Sequence, residues 1–442
     1  MLASIGHPAV RAVIPAFTQY DMFTDISFPG GIHLDWFMSS WSEVVLSLDR
    51  NEWPGEPNGS VKRVDEDRDG SLLASAVAGH ANNGDVYLDG TLGTTYRDEV
   101  TGLGLSMDEL GLHSRREALE QSGAAIYSWG SWMDHATAHA VITKFRTLSN
   151  PQQAVIGPWR HGGGARANPY APSPAPPDPS SETQWREMLN FLDRYLKEGG
   201  AGTSHRVLYY YTLGAEVWKS TTLWPVEGTT MERWYFGAGR TLSASSPTGL
   251  DGRDEYTVDF TATTGLQTRW HTAMDSSVVY RDRRTEDTKL LTYTSEPLAE
   301  DTEITGYPIV TLYVSSTHAD GAFFVYLEDV DESGYVTYVT EGQLRGLHRK
   351  VSDETPPYDV LIPYHTFKED DGEPMLPGAV TEITFGLLPT SVLIRAGHRI
   401  RVAIAGHDAG LFARIPETGD PVITMQRNSV YASGIDLPVV RR

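Results

Sequence analysis

The spacing of apolar positions changes character along this chain, and the change predicts two kinds of architecture. Arg11–Phe17 (RAVIPAF) is a short apolar run of the kind a buried strand presents, with Pro15 limiting its length because proline has no N–H to give a ladder. Between about Gly30 and Val100, Trp36, Phe37, Trp41, Val44, Val45 and Leu48 recur at helical spacing and a charged, glycine-rich stretch follows. That texture predicts a helical insertion or cap over about 30–110. Ser114 and Glu117 have the spacing of a capping box and predict a short helix stopped by Gly123. A strand over Ala124–Trp129, a helix over Ala136–Leu148, a turn at Asn150-Pro151 and a strand over Gln153–Gly157 follow in order. Helix, strand, helix, strand with short connections implies parallel strands covered by helices, and such sheets bind ligands beyond the carboxyl ends of their strands.

Ala171–Ser180 is a proline-rich loop. Ser181 opens an amphipathic helix whose apolar face is read as Trp185, Met188, Leu189, Leu192 and Leu196, stopped by Gly199-Gly200, and Val207–Thr212 is a further strand. Beyond about Trp224 the pattern turns to short β runs separated by turn residues, such as YPIVTLYVSS, GAFFVYLEDV and VTEITFGLLP. Many strands without a long helical pattern predict a β-sandwich of jelly-roll type. The expected boundary lies at 222, with an α/β domain over 1–222 and the sandwich over 223–442.

Composition narrows the partners. A chain of 442 residues exceeds one hydrophobic core, which agrees with two domains. A net charge of −22 argues against nucleic acid or an anionic membrane as partner, and no apolar run is long enough to span a bilayer. The absence of cysteine removes disulfides, cysteine-bound zinc and thiol nucleophiles while leaving the compartment open between cytoplasm and export. Met1–Pro8 lacks the basic and apolar regions of a signal peptide and reads as the tail of a helix, with Gly6 as its terminator. On this reading the chain opens inside an element.

Two residues stand where a parallel sheet puts its chemistry. Asp134 follows the first predicted strand in GSWMD, and His161 follows the second in GPWRHGG. Acid then histidine, each beyond its own strand, is the order of an α/β-hydrolase triad. Asp134 would orient the ring and His161 would shuttle the proton of a nucleophile. The plainer alternative is that Asp134 caps the next helix and His161 is a turn residue. Phe17, Tyr20, Asp21, Phe23, Asp25, Trp36, Phe37 and Trp41 are candidate substrate contacts, joined by Trp132 and Trp159 beside the acid and the base. Asp21 and Asp25 suit a substrate ammonium, or equally the cap of a turn. His135 and His139 have zinc-ligand spacing, but Ala136 stands where the metalloprotease motif needs glutamate; Asp65, Asp67, Asp69 and Gly70 begin like a calcium loop that lacks its closing glutamate at Ala76. No metal and no cofactor is expected.

The strings around Asp134 (GSWMD, HAT) and His161 (GPWRHGG) resemble the acid and base motifs of the CocE/NonD hydrolases, the group that includes cocaine esterases, α-amino-acid ester hydrolases and X-Pro dipeptidyl-peptidases. HPAVRAVIPAFTQYDMFTDISFPGG resembles the segment after that family's nucleophile elbow, and THADGAFFVYLEDVD, TEGQLR and LLPTSVLIRAGHRIRVAIAG resemble its jelly-roll domain. The resemblance implies an α/β-hydrolase fold with an incomplete parallel sheet and a helical cap, then an all-β jelly roll. It also implies Asp134 and His161 as triad members, and a glycine-flanked serine ahead of His7-Pro8. No G-x-S-x-G occurs; Ser4 falls in the N-terminal helix and Ser131 sits before the acid rather than on an elbow. The expectation is a serine hydrolase of ester or amide bonds in small molecules or short peptides, with its serine lying upstream of Met1 and this chain inactive alone. A non-catalytic binding module and a metallohydrolase are the alternatives, and a homo-oligomer is left open.

Overall fold

The computed structural model describes residues 1–52, 64–171, 175–197 and 206–441. Five strands form the first sheet in sequence order: β1 (Ala12–Val13), β2 (Ala125–Ser131), β3 (Gln152–Gly157), β4 (Arg206–Thr212) and β5 (Val217–Thr221). The first four run parallel, and β5 turns back antiparallel on β4. Every position of β2 is buried, as a strand covered on both faces requires. β1 is short for the reason Pro15 supplies. Pairing resumes beyond it, where the Trp129 N–H donates to Pro15 O at 3.0 Å and the Phe17 N–H to Trp129 O at 2.8 Å. β1 pairs with β2 on one side only.

Among the described residues six α-helices accompany the sheet: α1 (Asp35–Asp49), α2 (Ser71–His80), α3 (Met107–Leu110), α4 (Arg116–Ser122), α5 (Thr137–Thr147) and α6 (Ser181–Leu196). The alternation of β3 shows how two of them cover it. Ala154 and Ile156 join Val141, Ile142 and Phe145 of α5 in one core, whereas Val155 joins Phe191 and Tyr195 of α6 in another. Gly130 lets α5 lie close, because a Cβ there would stand 2.8 Å from Thr137 O.

Local signals in the first half were partly misassigned. The capping box forms at Ser106 and Glu109 at the start of α3, not at Ser114, whose hydroxyl donates back to Gly111 O at 2.7 Å within a 3₁₀ turn. In α6 the buried face is Gln184, Phe191 and Tyr195, so Trp185, Leu189 and Leu196, expected inside, are exposed. Gly199-Gly200, read as its stop, lies outside the described residues, as does part of the proline-rich loop. The acidic run before α2 is a helix cap: the Asp67 carboxylate accepts from Leu72 N and Leu73 N at 3.0 Å, and Asp69 accepts from Ser71 N at 3.1 Å. α1 forms over the predicted helical spacing, with Phe37 and Met38 inward and Trp41 outward.

From Thr229 to Val440 thirteen strands join in one network that builds the C-terminal β-sandwich. Its pairs are antiparallel except where Thr241–Ser243 meets Leu291–Ser295. The two halves share a continuous core in which Trp132 and Met133 meet the same cluster as Trp224, Trp270 and Phe324. Arg269, fully buried, fastens them together. Its Nε donates to His135 O at 3.1 Å, its Nη2 to Trp132 O, and its Nη1 reaches the Tyr338 hydroxyl at 3.4 Å. Removing it would leave two buried carbonyls without donors. Arg269→Met should therefore lower the urea unfolding midpoint by an amount worth about 2–4 kcal/mol with an unchanged slope, whereas a shift under about 0.5 kcal/mol would show the fastening to be dispensable.

Candidate active site

β2 and β3 end side by side, and the turns that leave them bring Asp134 and His161 together. Ser131, the last residue of β2, pins the two turns. Its hydroxyl donates to Trp159 O at 2.5 Å and accepts from Met133 N at 3.0 Å and Trp159 N at 3.1 Å. With these bonds filled, Ser131 is a structural hydroxyl. After Trp159 the chain turns through His161, Gly162 and Gly163, the two glycines at φ 76° and 75°. The φ of Gly163 favours glycine there, and a Cβ would also stand 2.7 Å from the Gln184 side-chain oxygen of α6.

His161 Nδ1 donates to Asp134 Oδ2 at 3.0 Å. The carboxylate is completely buried and collects three further contacts: the Thr272 hydroxyl and His135 Nδ1 (3.1 Å) on Oδ1, and the Thr137 hydroxyl on Oδ2 at 3.3 Å. Burial by itself would raise the pKa of Asp134, but the bonds from His135 and His161 outweigh it and hold the carboxyl below its usual range. For His161 burial favours the neutral ring, and the bond to Asp134 with its charge reverses that and raises the pKa. The ring keeps about a third of its surface exposed. Asp134 is its one hydrogen-bond partner among the described residues, so Nε2 is left for a reacting group.

Of the other sequence candidates, Phe17 is at this site, its ring 5.5 Å from that of His161. It adopts φ 53°, held by its bond to Trp129. Trp36 is near the acid by one remove: its ring lies 4.1 Å from His271, the neighbour of Thr272. Burial lowers the pKa of His271 to about 4. Trp41 faces outward, and the remaining candidates are turned to the interior. Trp132 and Trp159 are buried, and their indole N–H groups donate to Tyr211 O at 2.7 Å and Asp178 O at 2.9 Å. Trp159 stacks on Trp129 at 5.6 Å. Tyr20 is buried with its ring 5.5 Å from Tyr358, and Phe23 stacks on Phe28.

Asp21 and Asp25 hold no free surface for a substrate ammonium, because both side chains are buried, Asp25 Oδ1 without a hydrogen-bond partner. Asp21 pairs with buried Arg97 and accepts from the Tyr358 hydroxyl at 2.8 Å; against its burial, Arg97 brings its pKa down to about 2. Asp25 accepts from the backbone N–H of Tyr20 at 2.7 Å and of Asp21 at 3.0 Å, and burial beside Asp21 pushes its pKa up to about 7. Asp21 also caps the turn that follows it, accepting from Phe23 N at 3.0 Å, whereas Asp25 bonds the turn that precedes it. His135 and His139 are not a metal pair: His135 precedes α5 at φ 39° and faces Asp134, while His139 bonds the Tyr307 hydroxyl at 3.0 Å. Among the described residues no group of three or more His, Asp or Glu side chains is set to hold a metal.

Residues 195–432 match the X-Pro dipeptidyl-peptidase C-terminal non-catalytic domain, and residues 1–163 match the X-Pro dipeptidyl-peptidase (S15 family). A Mycobacterium bovis protein that carries the name serine esterase is 42% identical over 98% of this chain and 73% of its own length. The chain belongs to the S15 family of hydrolases. Cocaine esterase of a Rhodococcus species is 24% identical over 70% of the chain and 55% of that enzyme. A CocE/NonD family hydrolase of Staphylococcus aureus shares the fold, with a TM-score of 0.66 at 16% identity over the full chain and 69% of its own. The sheet and the C-terminal β domain are thus those of an S15-type α/β hydrolase. No described helix is long and apolar enough to cross a membrane.

Sequence reading missed the residues that complete this site. Thr272 lies 138 positions from Asp134 and no local motif marks it. His135 and Thr137 were within sight, beside the acid, but their roles depend on a turn conformation that spacing does not encode. The upward shift of His161 means that its pairing stabilises the fold fully below the ring's ordinary value near 6.5 and fades as pH rises through the raised value. In Asp134→Asn, NMR titration of the His161 ring should give a lower pKa than in the parent chain; an unchanged or higher value would remove the carboxylate as its cause.

Proposed function

We propose that this chain supplies the acid and the base of a serine hydrolase that cleaves ester or amide bonds of small molecules or short peptides through an acyl-enzyme. The observation that supports this most directly is the 3.0 Å bond from His161 to an anionic, fully buried Asp134, each side chain standing at the carboxyl end of its own parallel strand. Asp134 fixes the ring with Nδ1 protonated, which leaves Nε2 basic. His161 then takes the proton of a serine hydroxyl as the acyl bond forms and returns it to the leaving group. A water activated by the same nitrogen releases the acyl group. A charge buried beside the ring stabilises the imidazolium that exists only during proton transfer, so its benefit falls on the transition state. The ester and peptidase names of the relatives frame the substrate class.

The nucleophile is the open member. Ser131, the serine nearest the acid in sequence, has its hydroxyl committed to Trp159. Ser4 in the N-terminal 3₁₀ turn bonds Met1 O at 2.7 Å and is not bonded to His161. No G-x-S-x-G occurs in the sequence either, and on these grounds we propose that the nucleophilic serine lies outside these 442 residues. A fluorophosphonate probe should leave the 442-residue chain unlabelled and should label a chain extended upstream, with labelling of the extended chain cut at least about a hundredfold by His161→Ala. Covalent labelling of a serine within the 442 residues would refute the assignment.

A further inference from the structure

Thr272 reaches Asp134 from the C-terminal half of the chain, and the destination of its hydroxyl proton separates a local role from one at the site. Two oxygens lie within reach. One is Arg269 O at 3.2 Å, three residues back, a bond that threonine in a tight turn commonly makes. The other is Asp134 Oδ1. Arg269 O already accepts the His135 N–H at 3.0 Å. A hydroxyl has one proton, and a bond to an ionised carboxylate is about twice as strong as one to a neutral carbonyl, so the proton goes to Asp134.

The two oxygens of that carboxylate are then used differently. Oδ1 is filled by Thr272 and by His135 Nδ1 at 3.1 Å. On Oδ2 the Thr137 hydroxyl is a distant partner at 3.3 Å, with the Asp134 carbonyl closer to it at 2.8 Å, and His161 Nδ1 holds the oxygen at 3.0 Å. The turn that carries Thr272 is itself anchored on both sides. Asp275 takes the guanidinium of Arg160, the residue before His161, at 2.7 Å on its carboxylate and 2.8 Å on its carbonyl. His271 packs on Trp36 at 4.1 Å.

We propose that Thr272 is a positioning residue acting through Asp134: its hydroxyl occupies Oδ1, leaves Oδ2 to His161 and tempers the charge that the base feels. A donor on Oδ1 draws negative charge toward itself and leaves less of it for an imidazolium on Oδ2. An imidazolium held too tightly by its anion returns the proton to the leaving group more slowly, so this donor keeps the base suited to both proton transfers. The role rests on the hydrolase reading above.

NMR titration of the His161 ring in the 442-residue chain tests the role without a nucleophile. The fluorophosphonate experiment can therefore fail without changing this result, and the converse. In Thr272→Val, which removes the hydroxyl and keeps the branched shape, the His161 pKa should rise by about 0.3 pH unit or more, opposite in sign to Asp134→Asn. Thr272→Ser should return it to the parent value. A smaller rise or a fall in Thr272→Val would overturn the proposal, as would a Thr272→Ser ring that titrates like that of Thr272→Val. Should Thr272→Val not fold, the Thr272 hydroxyl proton of the parent chain decides. A resolved resonance that moves with the His161 titration supports the role; one that stays still, or exchanges with water too fast to be seen, overturns it.

Discussion

A carboxylate removed from water stays charged only when donors fill its oxygens, since desolvation of an isolated ion costs several kcal/mol even after relaxation. Asp134 meets this requirement from three separate parts of the chain. His161 comes from the turn after β3, His135 and Thr137 from the turn into α5, and Thr272 from a 3₁₀ turn of the C-terminal half. Each donor has to be delivered by its own element. The ends of β2 and β3, the shape of the Gly162-Gly163 turn and the seating of the sandwich are consequently coupled through one anion. The same anion sets the basicity of His161.

Around it the structure supplies rigidity. Ser131 ties the two turns to each other, and Arg269 ties the first turn to the sandwich through the carbonyls of Trp132 and His135. The backbone of His135 sits at φ 39°, a conformation that costs a non-glycine residue of order 1–3 kcal/mol unless its surroundings fix it. Here they do: the His135 N–H donates to Arg269 O at 3.0 Å and its ring packs 5.1 Å from Phe37 and 5.8 Å from Trp270. The strained turn aims one donor at Asp134 while its carbonyl meets the arginine. Side chains from α1 and from the sandwich both press on this single loop.

Much of this was legible in sequence. Apolar runs and short connections indicate the parallel order of β2 and β3, and Asp134 and His161, just after them, meet there because the carboxyl ends of parallel strands are where side chains escape the helical layers. What stayed hidden depended on contacts between distant segments. The aromatic residues around the site looked like a pocket, yet Trp132 and Trp159 spend their indole N–H groups on backbone carbonyls and lie in the core. Asp21 looked like a ligand for an ammonium because nothing nearby announces Arg97, which meets it across 76 positions. The face of α6 was misjudged for a related reason: leucine and tryptophan at helical spacing mark a stripe, but Phe191 and Tyr195 decide which side of it meets the sheet.

The seat of Thr272 has a consequence for how the two halves of the chain can diverge. Family boundaries assign this residue to a domain described as non-catalytic. Its hydroxyl nonetheless rests on the acid beside the base. A sandwich exchanged wholesale between relatives would carry its own version of that hydroxyl and of Arg269 into a foreign turn, so recombination at the domain seam is constrained by a hydrogen bond that the seam itself does not reveal.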